Sequence, residues 1–213
     1  MEWELRVTVF SAPRMGRYLN KYGGDTLRAA VAYDHNVLLA QALMPALQTL
    51  EIVLRNAIHR SLSRSMGNSD WWNCLPTPEF DWLHAAVNDA GNKIQRRRER
   101  VTIDKIVAEL TFGSWTRLFN AQYGLTLWGR LLLAFPTCPK IKRQRGPISS
   151  SLNRIRDLRN RVMHHEPLLW VAPSVNEIHA DILEVLDWID PGINLWLARH
   201  DALPTMWAEG AAI

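Results

Sequence analysis

The stretch "DTLRAAVAYDHNVLLAQALMPALQTLEIVLRNAIHRSLSRSMG", Asp25 to Gly67, constrains the fold more than any other. Its apolar residues recur at intervals of three and four, the spacing of an amphipathic helix, with no strand-like alternation. Asp25 suits an N-cap, with Arg28 standing where a capping box would place Glu or Gln, and Gly67 suits a stop. The run exceeds an ordinary globular helix. The sequence therefore predicts two pieces, broken at Asp34 to Asn36 with Asn36 as the second cap. Pro45 lacks a backbone donor and predicts a kink.

The rest of the chain reads the same way. "APRMGRYLNKYGG" predicts a short helix stopped by Gly23 and Gly24. Pro78, with Thr77 as cap, opens a helix to about Arg98. Thr102 caps the next one, which Gly113 interrupts. "LTLWGRLLLAF" is apolar nearly all round and reads as buried. Ser149 to Ser151 cap a helix ended by Pro167, and Ser174 caps another ended by Pro191 and Gly192. "ELRVTVF" is the one candidate strand. The expected class is all-α, one domain over residues 1–213, with 1–10 as an extended arm and 194–213 as a C-terminal helical appendage.

Composition removes several classes of function. No run of eighteen apolar residues is present, so no membrane span is expected. Cys74 and Cys138 are far apart and form neither a disulfide framework nor a thiolate metal site, which points to a reducing cytoplasm. "MEWELRVTVF" carries two acids and no long apolar core, unlike a signal peptide. No HExxH, P-loop, dinucleotide fingerprint or Gly-x-Ser-x-Gly occurs, so no metal or cofactor is expected.

The formal charge of +4 is unevenly spread. Lys140, Lys142, Arg143, Arg145, Arg154, Arg156, Arg159 and Arg161 face a single acid, Asp157, within residues 140–161. Residues 173–213 are acidic, and "KIQRRRER" (Lys93 to Arg100) is a second basic run. Such asymmetry suits a polyanion, although a basic run alone is usually a solvated helix face.

Two constellations carry chemistry. In "RDLRNRVMHHEPLL", Asn160 and His164 are four apart and share a helical face, with Arg159 about 100° around. Distortion ahead of Pro167 would let the three converge. A histidine exchanges a proton near neutral pH, and an arginine pairs with phosphate oxygens. Together they suit attack of a ribose 2′-hydroxyl on its own phosphate. Read alone, the same residues equally describe a cationic helix C-terminus, and that is the commoner case. The second set is Glu51, Arg55 and His59, a polar stripe at i, i+4 and i+8 on an apolar helix. Glu51 and Arg55 are expected to pair with each other, either as a surface pair on a half-buried helix or as part of a stripe that faces Arg159 to His164 and orients its side chains.

"SAPRMGRYL", "LLAQALMPALQTLEIVLRNAIHRSL", "ELTFGSWTRLF" and "LRNRVMHHEPLL" occur in the order and approximate spacing of the Abi-like (abortive infection) proteins of bacteria. The resemblance runs from Ser11 to Trp188. Its most specific mark, R-N-x-x-x-H-H-E-P, also makes the chain similar to the HEPN superfamily. Ser114 stands where the Abi-like pattern more often has an aromatic residue. The resemblance implies an all-α HEPN-like bundle and a metal-independent endoribonuclease leaving 2′,3′-cyclic phosphate ends. It implies a homodimer with two motifs lining one cleft, and a role in phage defence or as a toxin held by an antitoxin or small RNA. A non-catalytic RNA- or nucleotide-binding adaptor is the other role found among HEPN proteins. By position, Arg159 and His164 match the catalytic pair and Asn160 its polar companion. Glu51 and Arg55 match an acid and an arginine of an earlier helix. His165 and Glu166 match the H-E of the mark, without an assigned task. The bound RNA would lie along Lys140, Lys142, Arg143, Arg145, Arg156 and Arg161.

Overall fold

The computed structural model describes residues 1–210. Among them are eleven α-helices and no strand: α1 (Trp3–Phe10), α2 (Ala12–Lys21), α3 (Thr26–Met66), α4 (Asp81–Arg96), α5 (Ile103–Glu109), α6 (Phe112–Arg117), α7 (Gly124–Leu131), α8 (Arg145–Met163), α9 (Val175–Ile189), α10 (Gly192–Leu197) and α11 (Leu203–Gly210).

The long run forms one helix. α3 continues through Asp34, Asn36 and Pro45 for 41 residues, from the Asp25 cap, whose side chain accepts the Arg28 N–H, to Gly67 in the left-handed region. The expected break fails because its polar residues are used sideways. Asp34 takes a two-pronged ion pair from Arg6 at 2.6 and 2.8 Å. Asn36 is buried and bonds a loop more than a hundred residues away. Beside Pro45, whose ring breaks the ladder on one side, the Thr49 hydroxyl donates to the Pro45 carbonyl at 2.7 Å. By length and mean hydropathy (1.7 in its most apolar window) α3 would suffice to cross a membrane. In this fold it is the central core helix, wrapped by α2, α7, α9 and α11.

Residues 3–10 are helix and not an extended arm. The alternation of Val7 and Val9 suggests a strand, but docking decides, as it does for weak propensities generally. Arg6 is clamped to Asp34, and Trp3 packs on the small core of Tyr18, Ala29 and Ala32. α4 begins at Asp81, later than Pro78, and α8 begins at Arg145, a turn before the serines. The break near Gly113 lies at Thr111, which caps α6 by accepting from the Ser114 N–H. The caps at Thr102 and Ser174 form as expected, the latter with Glu177 completing a capping box. "LTLWGRLLLAF" is one-sided, since Leu127 and Leu131 are buried while Leu125 and Leu133 face solvent. The C-terminal segment is helical, but Leu197 and Leu203 are fully buried in the main core, so it is part of the bundle.

This arrangement positions α8. It packs against α9 and α6 and lays its last turns beside α3. The following turn, residues 164–168, lies over α2 and the first half of α3.

Candidate active site

α8 ends in a Schellman motif. The Glu166 N–H donates to the Arg161 carbonyl at 2.9 Å and the His165 N–H to the Val162 carbonyl at 3.1 Å, with His165 at φ 56° between them. Glycine normally fills this left-handed position, and a side chain there costs roughly 1 kcal/mol. The turn is fastened from two directions. Arg14 Nη1 donates to the His165 carbonyl at 2.6 Å. Asn36 Oδ1 accepts the Leu168 N–H at 2.6 Å, and its Nδ2 donates to the Glu166 carbonyl at 3.4 Å. Neither Arg14 nor Asn36 stands out in the sequence as a site residue. The only signal is a polar "DHN" inside an apolar helix and the arginines of "SAPRMGRYL".

Arg159 and Glu51 meet, as a stripe on α3 facing α8 would have them do. Arg159 Nε lies 3.5 Å from Glu51 Oε2, with both side chains about a quarter to a third exposed. The buried Nε lacks hydrogen-bond geometry to any partner, so this is an ion contact that orients the guanidinium without consuming its donors. Glu51 does not pair with Arg55. An i,i+4 pair is worth only a few tenths of a kcal/mol, and Arg55 instead reaches the C-terminal end of α5, donating to the Ala108 carbonyl at 3.2 Å, where a cation suits the helix dipole. Glu51, Arg55 and Arg159 share a cleft of about 280 Å³ whose apolar rim includes Met44, Ile52 and Met163. Two cations against one carboxylate leave it net positive.

His59 stands apart from this cleft. Its Nδ1 accepts from Trp71 Nε1 at 3.2 Å, and its ring lies beside Trp72. Burial pushes its pKa below the ordinary imidazole value, with Asp104 opposing. It is a packing histidine that keeps a tryptophan N–H satisfied.

His164 caps the C-terminus of α8, its N–H donating to the Asn160 carbonyl at 2.9 Å, and its side chain is exposed. It does not join Arg159. His164 and His165 line a second cleft of about 390 Å³ with Arg14, Arg17 and Tyr18 of α2. The expected convergence of Arg159, Asn160 and His164 is absent within one chain because α8 stays regular to Met163. Arg159 therefore keeps its ~100° offset. Asn160 is exposed and lines neither cleft.

The basic residues divide by use. Arg143 donates to the Cys138 and Pro136 carbonyls at 3.1 and 2.9 Å, and Arg145 to the Phe119 carbonyl at 2.9 Å. These two fasten loops. Lys142 pairs with Glu184, Arg156 with Asp157 at 3.1 Å, and Arg161 with Glu166 at 3.2 Å. Lys140 is exposed. In "KIQRRRER", Arg97 is held by Glu99 and Glu109, the solvated face that such a run usually makes.

No family model, curated protein or solved structure matches this chain. What remains is the chemistry of two adjacent clefts. One holds an oriented arginine with unspent donors, and the other holds an exposed histidine beside two further arginines.

Proposed function

We propose that the chain is a metal-independent endoribonuclease of the HEPN type, acting in phage defence by abortive infection or as the toxin of a toxin–antitoxin pair. The observation that carries this reading is Arg159, turned by Glu51 through its buried Nε while its two Nη groups make no hydrogen bond among the described residues, on the wall of a net-positive cleft. A guanidinium so prepared suits charge that grows on a phosphate. His164 takes the proton of a ribose 2′-hydroxyl, whose oxygen attacks the adjacent phosphorus. The P–O5′ bond breaks, the 5′-oxygen leaves with a proton from solvent while His164 gives up the one it took, and the products are a 2′,3′-cyclic phosphate and a 5′-hydroxyl. Because Arg159 and His164 line different clefts of one chain, the reading requires a homodimer that brings Arg159 of one copy to His164 of the other. The half-exposed Met44, Ile52 and Met163 at the rim favour such a contact, since a two-fold interface is self-complementary. An antitoxin or small RNA would hold the enzyme inactive.

The test is inducible expression of the parent and of His164→Ala, with mapping of RNA ends. The expected result is growth arrest and new 2′,3′-cyclic phosphate ends with the parent alone. A purified His164→Ala protein that cut RNA as fast as the parent would remove His164 from the reaction.

The separation of Arg159 from His164 favours a second reading, an RNA- or nucleotide-binding adaptor without catalysis. RNA would then be bound with strong salt dependence and left whole.

A further inference from the structure

In the cleft between α2 and the turn after α8, where His164 stands, the two arginines of α2 have no assigned task. Arg14 and Arg17 are three apart on α2 and so project from one face of it. Arg14 spends one nitrogen on the His165 carbonyl. Arg17 is exposed and makes no ion pair or hydrogen bond among the described residues. The one acid on the cleft wall, Glu166, is paired with Arg161, so it does not neutralise the α2 arginines. The opposite wall is fixed in place: the Schellman motif, Arg14 and Asn36 each bind its backbone. A held turn facing two arginines, with two exposed imidazoles at the lip, is preorganised for an oxyanion.

We propose that this cleft is a phosphate-binding site, in which Arg17 and the unspent donors of Arg14 grip a phosphodiester of RNA beside His164. The shared chemistry is the phosphate oxyanion, which a free nucleotide could also present. The anion site stands on the geometry of the cleft, and the choice of RNA rests on the ribonuclease reading. Within one chain, α2 and not α8 supplies the cations nearest His164 in its cleft. Arg14 and Arg17 are thus binding residues that set where the ribose lies relative to the imidazole.

The test uses a 2′-O-methyl RNA oligonucleotide, which cannot be cleaved by its own 2′-oxygen, and compares the full-length parent with Arg17→Ala and Arg17→Lys. Affinity for the oligonucleotide is expected to fall about tenfold in Arg17→Ala, and the slope of log affinity against log salt to shrink by roughly 0.7, one single-strand phosphate contact. Arg17→Lys should keep the slope and lose part of the affinity. In a second arm, inorganic phosphate and adenosine 5′-monophosphate are titrated while the imidazole signals of His164 and His165 are followed by NMR. If the parent binds no RNA but either small anion moves these signals in the parent and not in Arg17→Ala, the phosphate site stands and the RNA reading fails. If Arg17→Ala binds the oligonucleotide with parental affinity and slope, the site is overturned, whether or not the parent cleaves RNA. It is equally overturned if the parent binds neither RNA nor a small anion.

Discussion

Glu51 Oε2 lies 3.5 Å from Arg159 Nε, so a carboxylate of the central helix sets the direction of an arginine on α8. The pair is partly exposed and is worth less than about 1 kcal/mol to the fold. Its value lies in orientation. Glu51→Gln keeps the shape and removes the charge. It should leave urea unfolding nearly unchanged; on the proposed ribonuclease reading, where Arg159 meets the charge that develops on the phosphate, it should also slow cleavage of a labelled RNA roughly ten- to a hundredfold, mainly in kcat. A variant that lost stability while keeping kcat would make the contact structural.

His165 holds a left-handed backbone angle of 56° at the glycine position of a Schellman motif. Relief of that strain exceeds the extra flexibility glycine brings to the unfolded chain, so His165→Gly should stabilise by about 0.5–1 kcal/mol. The urea midpoint measures it. Arg14→Ala removes the bond to the His165 carbonyl and should act in the opposite direction, by about 1 kcal/mol. A destabilising His165→Gly would mean that the imidazole makes contacts outweighing its backbone cost.

Much of this is legible in the sequence, and the exceptions share a cause. The helical class, the caps at Asp25, Thr102 and Ser174, and the stop at Gly67 are local signals, set by residues within a turn of each other. Asp34 and Asn36 look like a break because a polar pair in an apolar helix is locally best placed at an end. Their real partners, Arg6 and the backbone of Glu166 and Leu168, are set by the tertiary fold. The same holds at the candidate site. Glu51 and Arg159 are each visible as polar residues on an apolar face, and they do meet. The split between Arg159 and His164 follows from the ~100° step of a regular helix, which only an undistorted α8 reveals. Arg14 and His165 are 151 residues apart in the chain, and spacing carries no trace of their contact.

His59 and His179 give the fold an acid limit. Burial lowers the pKa of both, opposed by Asp104 for His59 and by Asp201 for His179. A histidine with a depressed folded-state pKa takes up its proton at lower pH than the unfolded chain does. Its contribution is therefore complete above the ordinary imidazole value and is lost as pH falls through the folded value. The urea midpoint should hold above the ordinary imidazole value and drop as pH falls below it. His59→Gln can still accept from Trp71 Nε1 and has no proton to gain. Its midpoint should drop less than the parent's, and equal drops would place the titration elsewhere.

The C-terminal helix offers the sharpest test of whether the bundle is one cooperative unit. Leu203 is fully buried against the main core, and Leu197 just before it is equally enclosed. Between them, Asp201 Oδ2 comes within 3.0 Å of His179 Nε2 on α9, close but off the line of a hydrogen bond. Further along, Gly210 lies so near the buried His35 ring that a Cβ would stand 2.0 Å from its Nε2. A segment anchored at these points cannot detach without opening the core over α3 and α9. Leu203→Ala should therefore cost about 2–4 kcal/mol of global stability, with one unfolding transition by circular dichroism and tryptophan fluorescence alike. Thr205→Ala, exposed on the same helix, should stay within about 0.5 kcal/mol of the parent. If Leu203→Ala matched Thr205→Ala, or produced an early separate transition, α11 would be an appendage resting on the bundle and not a part of its core.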